Sequence, residues 1–156
     1  MNLEELAARV QRLEDIEAIR ALKMRYCAAC DDNYNPDAIA ACFSEDAIWD
    51  AGMFGRSVGR GEIHAYFAAA PDNISFAIHQ VANPTVEVDG DSGTGQWYLL
   101  QPMVMRATNK AYWLAALYDE EYRRVDGQWL IHRLKLEIRA MTPYEKGFAV
   151  ERIAEL

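Results

Sequence analysis

Leu3, Leu6, Val10 and Leu13 recur at spacings of three and four, and Ile16, Ile19, Leu22 and Tyr26 continue the stripe. Glu4, Glu5, Arg12, Glu14, Asp15 and Arg20 fill the other face. Side chains three and four apart share one face of an α-helix, so this pattern predicts a helix over residues 3–30. It stops at Asp31-Asp32-Asn33-Tyr34-Asn35-Pro36, a run of poor helix formers ended by a proline. Residues 1–12 are expected to extend from the body and pack on a neighbouring subunit. A second, short helix is expected from Pro36 or Asp37 to about Phe43, with Asn35 as its cap. Ala47–Ala51 reads as a short strand, and the glycines at 52, 55, 59 and 61 as a lid or turn. Their spacing fits neither a Walker loop nor a dinucleotide fingerprint. A third helix is expected from Glu62 to Ala70, ended by Pro71-Asp72-Asn73.

After residue 73 the period changes. Residues 74–88, 93–105, 111–125 and 128–140 read as long strands. Asp89-Gly90-Asp91-Ser92-Gly93, Ala107-Thr108-Asn109-Lys110 and Val125-Asp126-Gly127 separate them as turns. Long strands joined by short turns predict an antiparallel meander, and helices followed by strands predict an α+β fold. The helices must then cover one face of the sheet. Residues 141–156 read as a tail with a short helix, and the whole of 1–156 as one domain.

Composition narrows the class without changing this outline. The 156 residues are 51% apolar, which suits one globular domain. A net charge of −8 argues against affinity for nucleic acid or an anionic membrane. No apolar run is long enough to span a bilayer, and Met1 leads into charged residues, so neither a membrane span nor a secretory signal is expected. Cys27 and Cys30 form a C-x-x-C inside the helical pattern, without a second Cys/His pair nearby. They read, with Cys42, as small buried packing residues of a reducing, cytoplasmic compartment.

The candidate chemistry rests on few residues. Of three histidines, His64 reads as a surface residue of the third helix. His79 lies mid-strand in Phe76-Ala77-Ile78-His79-Gln80-Val81, on one face with Ser75, Ala77 and Val81. It is either a pocket base or a satisfied core histidine. His132, between Leu130 and Leu134, is its rival. Asp31 ends the first helix, about 7.5 Å along the axis from Tyr26 at 1.5 Å per residue. It reads as a pocket residue or as a solvated helix stop. The histidines lack metal-ligand spacing, and no carboxylate trio accompanies them, so no metal and no cofactor is expected.

An ordered set of residues supplies a family. Ile16-Glu17-Ala18-Ile19-Arg20-Ala21-Leu22 leads into Tyr26, then Asp31, Phe43 and Asp46-Ala47-Ile48-Trp49. Gly59-Arg60-Gly61-Glu62-Ile63 follows, then His79, then Tyr122-Arg123-Arg124-Val125-Asp126-Gly127-Gln128-Trp129-Leu130-Ile131. From about Leu13 to Tyr144 the chain resembles the SnoaL-like branch of the nuclear transport factor 2-like superfamily. The resemblance implies a cone-shaped fold, a strongly bent antiparallel sheet wrapped around three helices. It also implies a homo-oligomer, dimer or trimer. Bile acid 7-alpha-dehydratase, scytalone dehydratase and hexachlorocyclohexane dehydrochlorinase pair an aspartate at the end of the first helix with a histidine on the first long strand. Asp31 and His79 fall on those positions, and Tyr26 matches the bile acid enzyme's pocket tyrosine, where the dehydrochlorinase has a lysine. Gln101 or a neighbour stands where the bile acid enzyme has a pocket aspartate, and Arg139 where it has a late arginine. Strand alternation, however, puts Arg139 with Arg133 and Lys135 on a polar face.

Such a pair allows proton abstraction. Burial favours the neutral imidazole. His79 would then act as base, Asp31 would orient it, and Tyr26 would donate to a carbonyl or departing hydroxyl. Trp49, Phe54, Tyr66, Trp97, Leu99, Met103, Trp113 and Tyr118 are expected wall residues, although ordinary core is the alternative for most. An aromatic wall suits a hydrophobic, ring-containing small molecule. The expected function is a cofactor-independent lyase of the dehydratase type. The alternatives are a ketosteroid-isomerase-like isomerase, a formaldehyde-releasing aryl-diol lyase and a non-catalytic small-molecule-binding protein.

Overall fold

The computed structural model describes residues 2–154. Helix α1 (Leu3–Asp31) begins at a capping box, in which the Asn2 side chain and Glu5 satisfy each other's backbone N–H. Its first turns stand clear of the body: Leu3, Leu6, Val10 and Leu13 are exposed, while Ile19, Leu22 and Tyr26 are buried. Helix α2 (Pro36–Ala40) is shorter than expected. Phe43 belongs instead to strand β1 (Phe43–Asp50), where it pairs with Ile131 across the sheet. That long-range pairing overrides a local pattern that still read as helix. A 3-10 turn, Gly52–Phe54, and strand β2 (Arg56–Val58) occupy the glycine-rich stretch, with β2 antiparallel to β1. Helix α3 (Arg60–Asn73) starts two residues before the expected Glu62 and carries Pro71 in its last turn rather than stopping there.

The strand expected over 74–88 is two strands, β3 (Ile74–Ala77) and β4 (Gln80–Asp89), both antiparallel to β5 (Ser92–Met105). The break falls at Ile78-His79, so His79 is not mid-strand. Its backbone N–H donates to the Asp31 carboxylate and not to the ladder. Strands β6 (Lys110–Val125) and β7 (Gln128–Pro143) complete the meander. The sheet runs β2-β1-β7-β6-β5-β3, with β4 also on β5. It is not wholly antiparallel, because β1 runs parallel to β7. The chain reaches β1 from α2 and must lie beside a strand formed much later, a direction no local pattern encodes. The tail is not helical among the described residues: 141–143 prolong β7, and Ile153 bridges back to Met141. Residues 155–156 lie outside the described residues.

The sheet is strongly curled, and the helices fill its concave side, α1 against β4 and β7 and α3 against β1. Phe43, Ile63, Ile131, Leu134 and Met141 form the centre of the core. Cys27, Cys30 and Cys42 are buried in it as free thiols. Among the described residues no helix is long and apolar enough to cross a membrane.

Asp15 pins the exposed part of α1 to the body. Its carboxylate accepts from the Trp129 indole (3.0 Å), the Gln11 amide (3.2 Å) and the Arg124 guanidinium (3.0 Å). Burial pushes the carboxyl up, but those three donors outweigh it and hold the pKa below 3.8. A depressed carboxyl stabilises the fold above its unfolded value and loses that contribution as pH falls through the folded one. Wild type is therefore expected to be more stable than Asp15→Asn at neutral pH, with the gap closing as pH falls below 3.8 in chemical denaturation. A gap that stays constant across that range contradicts this role.

Candidate active site

Two elements bring the key pair together. Asp31 is the last residue of α1, and His79 sits in the break between β3 and β4. Asp31 Oδ1 accepts both the backbone N–H of His79 (2.9 Å) and its Nδ1 (2.8 Å). A carboxylate only accepts, so Nδ1 carries the hydrogen, and in the neutral ring Nε2 has a lone pair. Nε2 has no hydrogen-bond partner among the described residues. The His79 side chain is 6% exposed and that of Asp31 32%, so the ring is inside and the carboxylate is at the rim.

His79 lines a cavity of about 40 Å³ between the helices and the sheet. Tyr26, Trp49, Phe54, Tyr66, Gln101, Met103 and Tyr118 line it too, all expected from the sequence. Tyr34, Phe67, Ile74, Leu114, Leu134 and Leu136 also line it, and sequence reasoning missed them as wall residues. Alternation along β6 and β7 could have offered the leucines. Tyr34 carried no such signal, because it lies in a turn with φ 55°.

Five expected residues do not line the cavity, and one of them, Asp31, lines the groove beside it instead. Trp97 and Leu99 are buried on the same face of β5 as Gln101, but farther toward its start. There α1 fills the space, and Ile19 lies 3.0 Å from where a Cβ on Gly93 would sit. Trp113 is out of phase with Tyr112 and Leu114 and leans on Tyr144 outside, with ring centroids 6.5 Å apart. Arg139 is exposed and bonds to Glu137 at 3.1 Å. His132 lies elsewhere, within 3.1 Å of the Ser44 hydroxyl. His64 pairs with Asp37 at 2.9 Å.

The polar groups of the cavity are few. The Tyr26 hydroxyl accepts from the Trp49 indole at 3.3 Å, which leaves its own hydrogen to donate. Burial pushes the pKa of Tyr26 and of Tyr118 well above 10.0, so both stay protonated donors. Tyr66, pushed up to about 12 by burial, donates to the Phe54 carbonyl at 2.9 Å and ties the 3-10 turn to α3. Gln101 is 5% exposed; its amide makes a weak contact to the Met103 sulfur at 3.8 Å, and its side chain meets the Tyr34 hydroxyl. By register Gln101 is the cross-strand neighbour of His79, since Gln80 pairs with Leu100 and Ala77 with Met103. The site thus combines one free imidazole nitrogen with a few donors in an apolar space.

Comparison with known proteins places the chain in a family. Over 80% of its length the chain is 27% identical to an uncharacterized protein of Mycobacterium tuberculosis (strain ATCC 25618 / H37Rv), covering 85% of that protein. A Novosphingobium aromaticivorans structure provisionally named an aromatic ring hydroxylase is 27% identical, with a TM-score of 0.77 over 84% of this chain and 94% of that one. The hexachlorocyclohexane dehydrochlorinase of Novosphingobium barchaimii LL02 is 24% identical, with a TM-score of 0.80 over 86% and 93%. A Novosphingobium aromaticivorans DSM 12444 structure provisionally named a scytalone dehydratase is 21% identical, with a TM-score of 0.77 over 92% and 96%. The SnoaL-like domain model matches residues 11–135, and the chain belongs to the SnoaL-like domain family.

Proposed function

We propose that this protein is a cofactor-independent lyase of the dehydratase type, acting on a hydrophobic, ring-containing small molecule. The observation that carries this reading is the double acceptance by Asp31 Oδ1, which leaves the His79 Nε2 lone pair free at an apolar cavity. Nε2 takes a proton from a carbon beside an activating group, and that electron pair becomes the new double bond. The neighbouring hydroxyl leaves, taking the proton back from the imidazolium, so that one water departs and the ring is reset. Asp31 stabilises the imidazolium while it lasts. Tyr26 donates to the activating carbonyl or to the departing oxygen. The dehydratase and dehydrochlorinase among the structural relatives support an elimination in such a cavity.

The test is incubation of the purified protein with ring-bearing β-hydroxy ketones in deuterated water, followed by mass spectrometry. The expected result is loss of water from at least one compound. Deuterium uptake without loss of water points to an isomerase instead. Neither change on any compound that binds contradicts the proposal and leaves a binding protein.

A further inference from the structure

Tyr34 separates two spaces. Inside lies the cavity of about 40 Å³, and outside lies a groove of about 500 Å³ formed by Asp31, Asn33, Ser75, Phe76 and Ile78, among others. Tyr34 and Ile74 line both. A space of about 40 Å³ holds a few waters, whereas small-molecule pockets are roughly 300–1,000 Å³. A ring-bearing ligand therefore needs a wall to yield.

Tyr34 is the residue of that wall with a left-handed backbone. Its φ is 55°, and that of Asn33 is 51°, a left-handed conformation that costs a bulky residue energy. The backbone there is fixed by the Tyr34 N–H on the Cys30 carbonyl and the Asn35 N–H on the Ala29 carbonyl. The ring is buried, stacked on Phe67 at 6.0 Å and edge-on to His79 at 5.9 Å, with its hydroxyl beside the Gln101 side chain. Strained backbone holding one ring against a candidate base is a costly arrangement for packing alone.

We infer that the substrate-binding space is the cavity and the groove together, and that Tyr34 is a movable partition that determines which ring is accepted. The inference rests on the reading of the His79 cavity as the binding site. The ring of the ligand occupies the inner space, and a tail leaves through the groove. Asp31, Asn33 and Ser75 supply polar contacts there, while Phe76 and Ile78 offer half-exposed apolar flanks. The Asp31 carboxylate and a net charge of −8 disfavour an anionic tail. The ligand class is thus an aromatic or alicyclic ring bearing an uncharged, hydroxylated chain. His79 lines the inner part, and its partner Asp31 lines the groove.

The experiment is calorimetric titration of the full chain with phenylbutanol, phenylbutyrate and naphthylbutanol. Wild type is expected to bind phenylbutanol at least about tenfold more tightly than either of the others. Tyr34→Gly keeps the left-handed backbone and removes the partition. It should shift selectivity towards naphthylbutanol by about tenfold or more. Tyr34→Asn, whose side chain also tolerates that conformation, serves if the glycine variant unfolds. Unchanged ring selectivity in the folded variant overturns the inference, as does a shift produced by Phe54→Ala instead. Equal binding of the alcohol and the carboxylate, or no binding of any of the three probes by wild type, also overturns it. If the probes bind as expected but no ring-bearing ketone is turned over, the lyase reading fails and this one stands.

Discussion

His79→Ala is expected to lower turnover by about 10²–10⁴-fold on any substrate found, the range that a positioned general base contributes. The fold should persist, because Asp31 keeps the backbone N–H of residue 79 as a partner and the lost ring is bounded by a cavity rather than by close-packed core. Asp31→Asn should also slow turnover while leaving affinity nearly unchanged, since an amide has no charge to stabilise the imidazolium. Tyr26→Phe should be milder, losing roughly 1–3 kcal/mol if its hydroxyl donates in the transition state. These losses should not sum, because the groups act as one unit. The control is His132→Ala. That ring lies by Ser44 and Asp46, away from the cavity, so turnover should be near normal. Normal turnover by His79→Ala together with a dead His132→Ala reverses the assignment.

The second large effect is on stability. Lys23 and Glu120 form an ion pair with both side chains 0% exposed. Glu120 also accepts from the Tyr122 hydroxyl, which in turn receives the Trp97 indole N–H at 3.0 Å. Lys23 Nζ rests over the Tyr118 ring, 3.3 Å from its centroid, and lies 4.7 Å from that of Tyr26. Tyr122 fits only because residue 95 is glycine: a Cβ there would lie 2.9 Å from its ring. Lys23→Met removes one partner and leaves a carboxylate buried without its counter-charge. The expected cost is about 3–5 kcal/mol in urea unfolding. Lys23→Met combined with Glu120→Leu should recover part of that loss, since no buried charge remains, although the Tyr122 hydroxyl loses its acceptor. A single variant as stable as wild type contradicts the reading. So does a double variant no better than the single one.

Much of the fold was legible because it is periodic. The stripe from Ile16 to Tyr26 and the turns at Asp89-Gly90 and Asp126-Gly127 predicted α1 and the β5–β7 meander within a few residues. What escaped depends on contacts far apart in sequence. The parallel β1–β7 pairing needs a strand more than eighty residues away, as Phe43 opposite Ile131 shows. Lys23 lies in the buried stripe of α1, but nothing local pairs it with Glu120. Tyr34 sits in a turn whose left-handed backbone is fixed by hydrogen bonds to α1. The break at His79 arises from Asp31 taking its backbone N–H, which strand alternation could not anticipate. Family resemblance, not pattern, singled out Asp31 and His79. The structure brings the two together, and their role in turnover is what the variants test.

The most direct test of the central claim is the tautomer of His79, read from the ¹⁵N shifts of histidine-labelled protein at neutral pH. The account predicts a protonated Nδ1 and a bare Nε2, with Asp31→Asn weakening that preference. A protonated Nε2 in the wild type, whether as the other tautomer or as a stable imidazolium, leaves no lone pair facing the cavity and contradicts it.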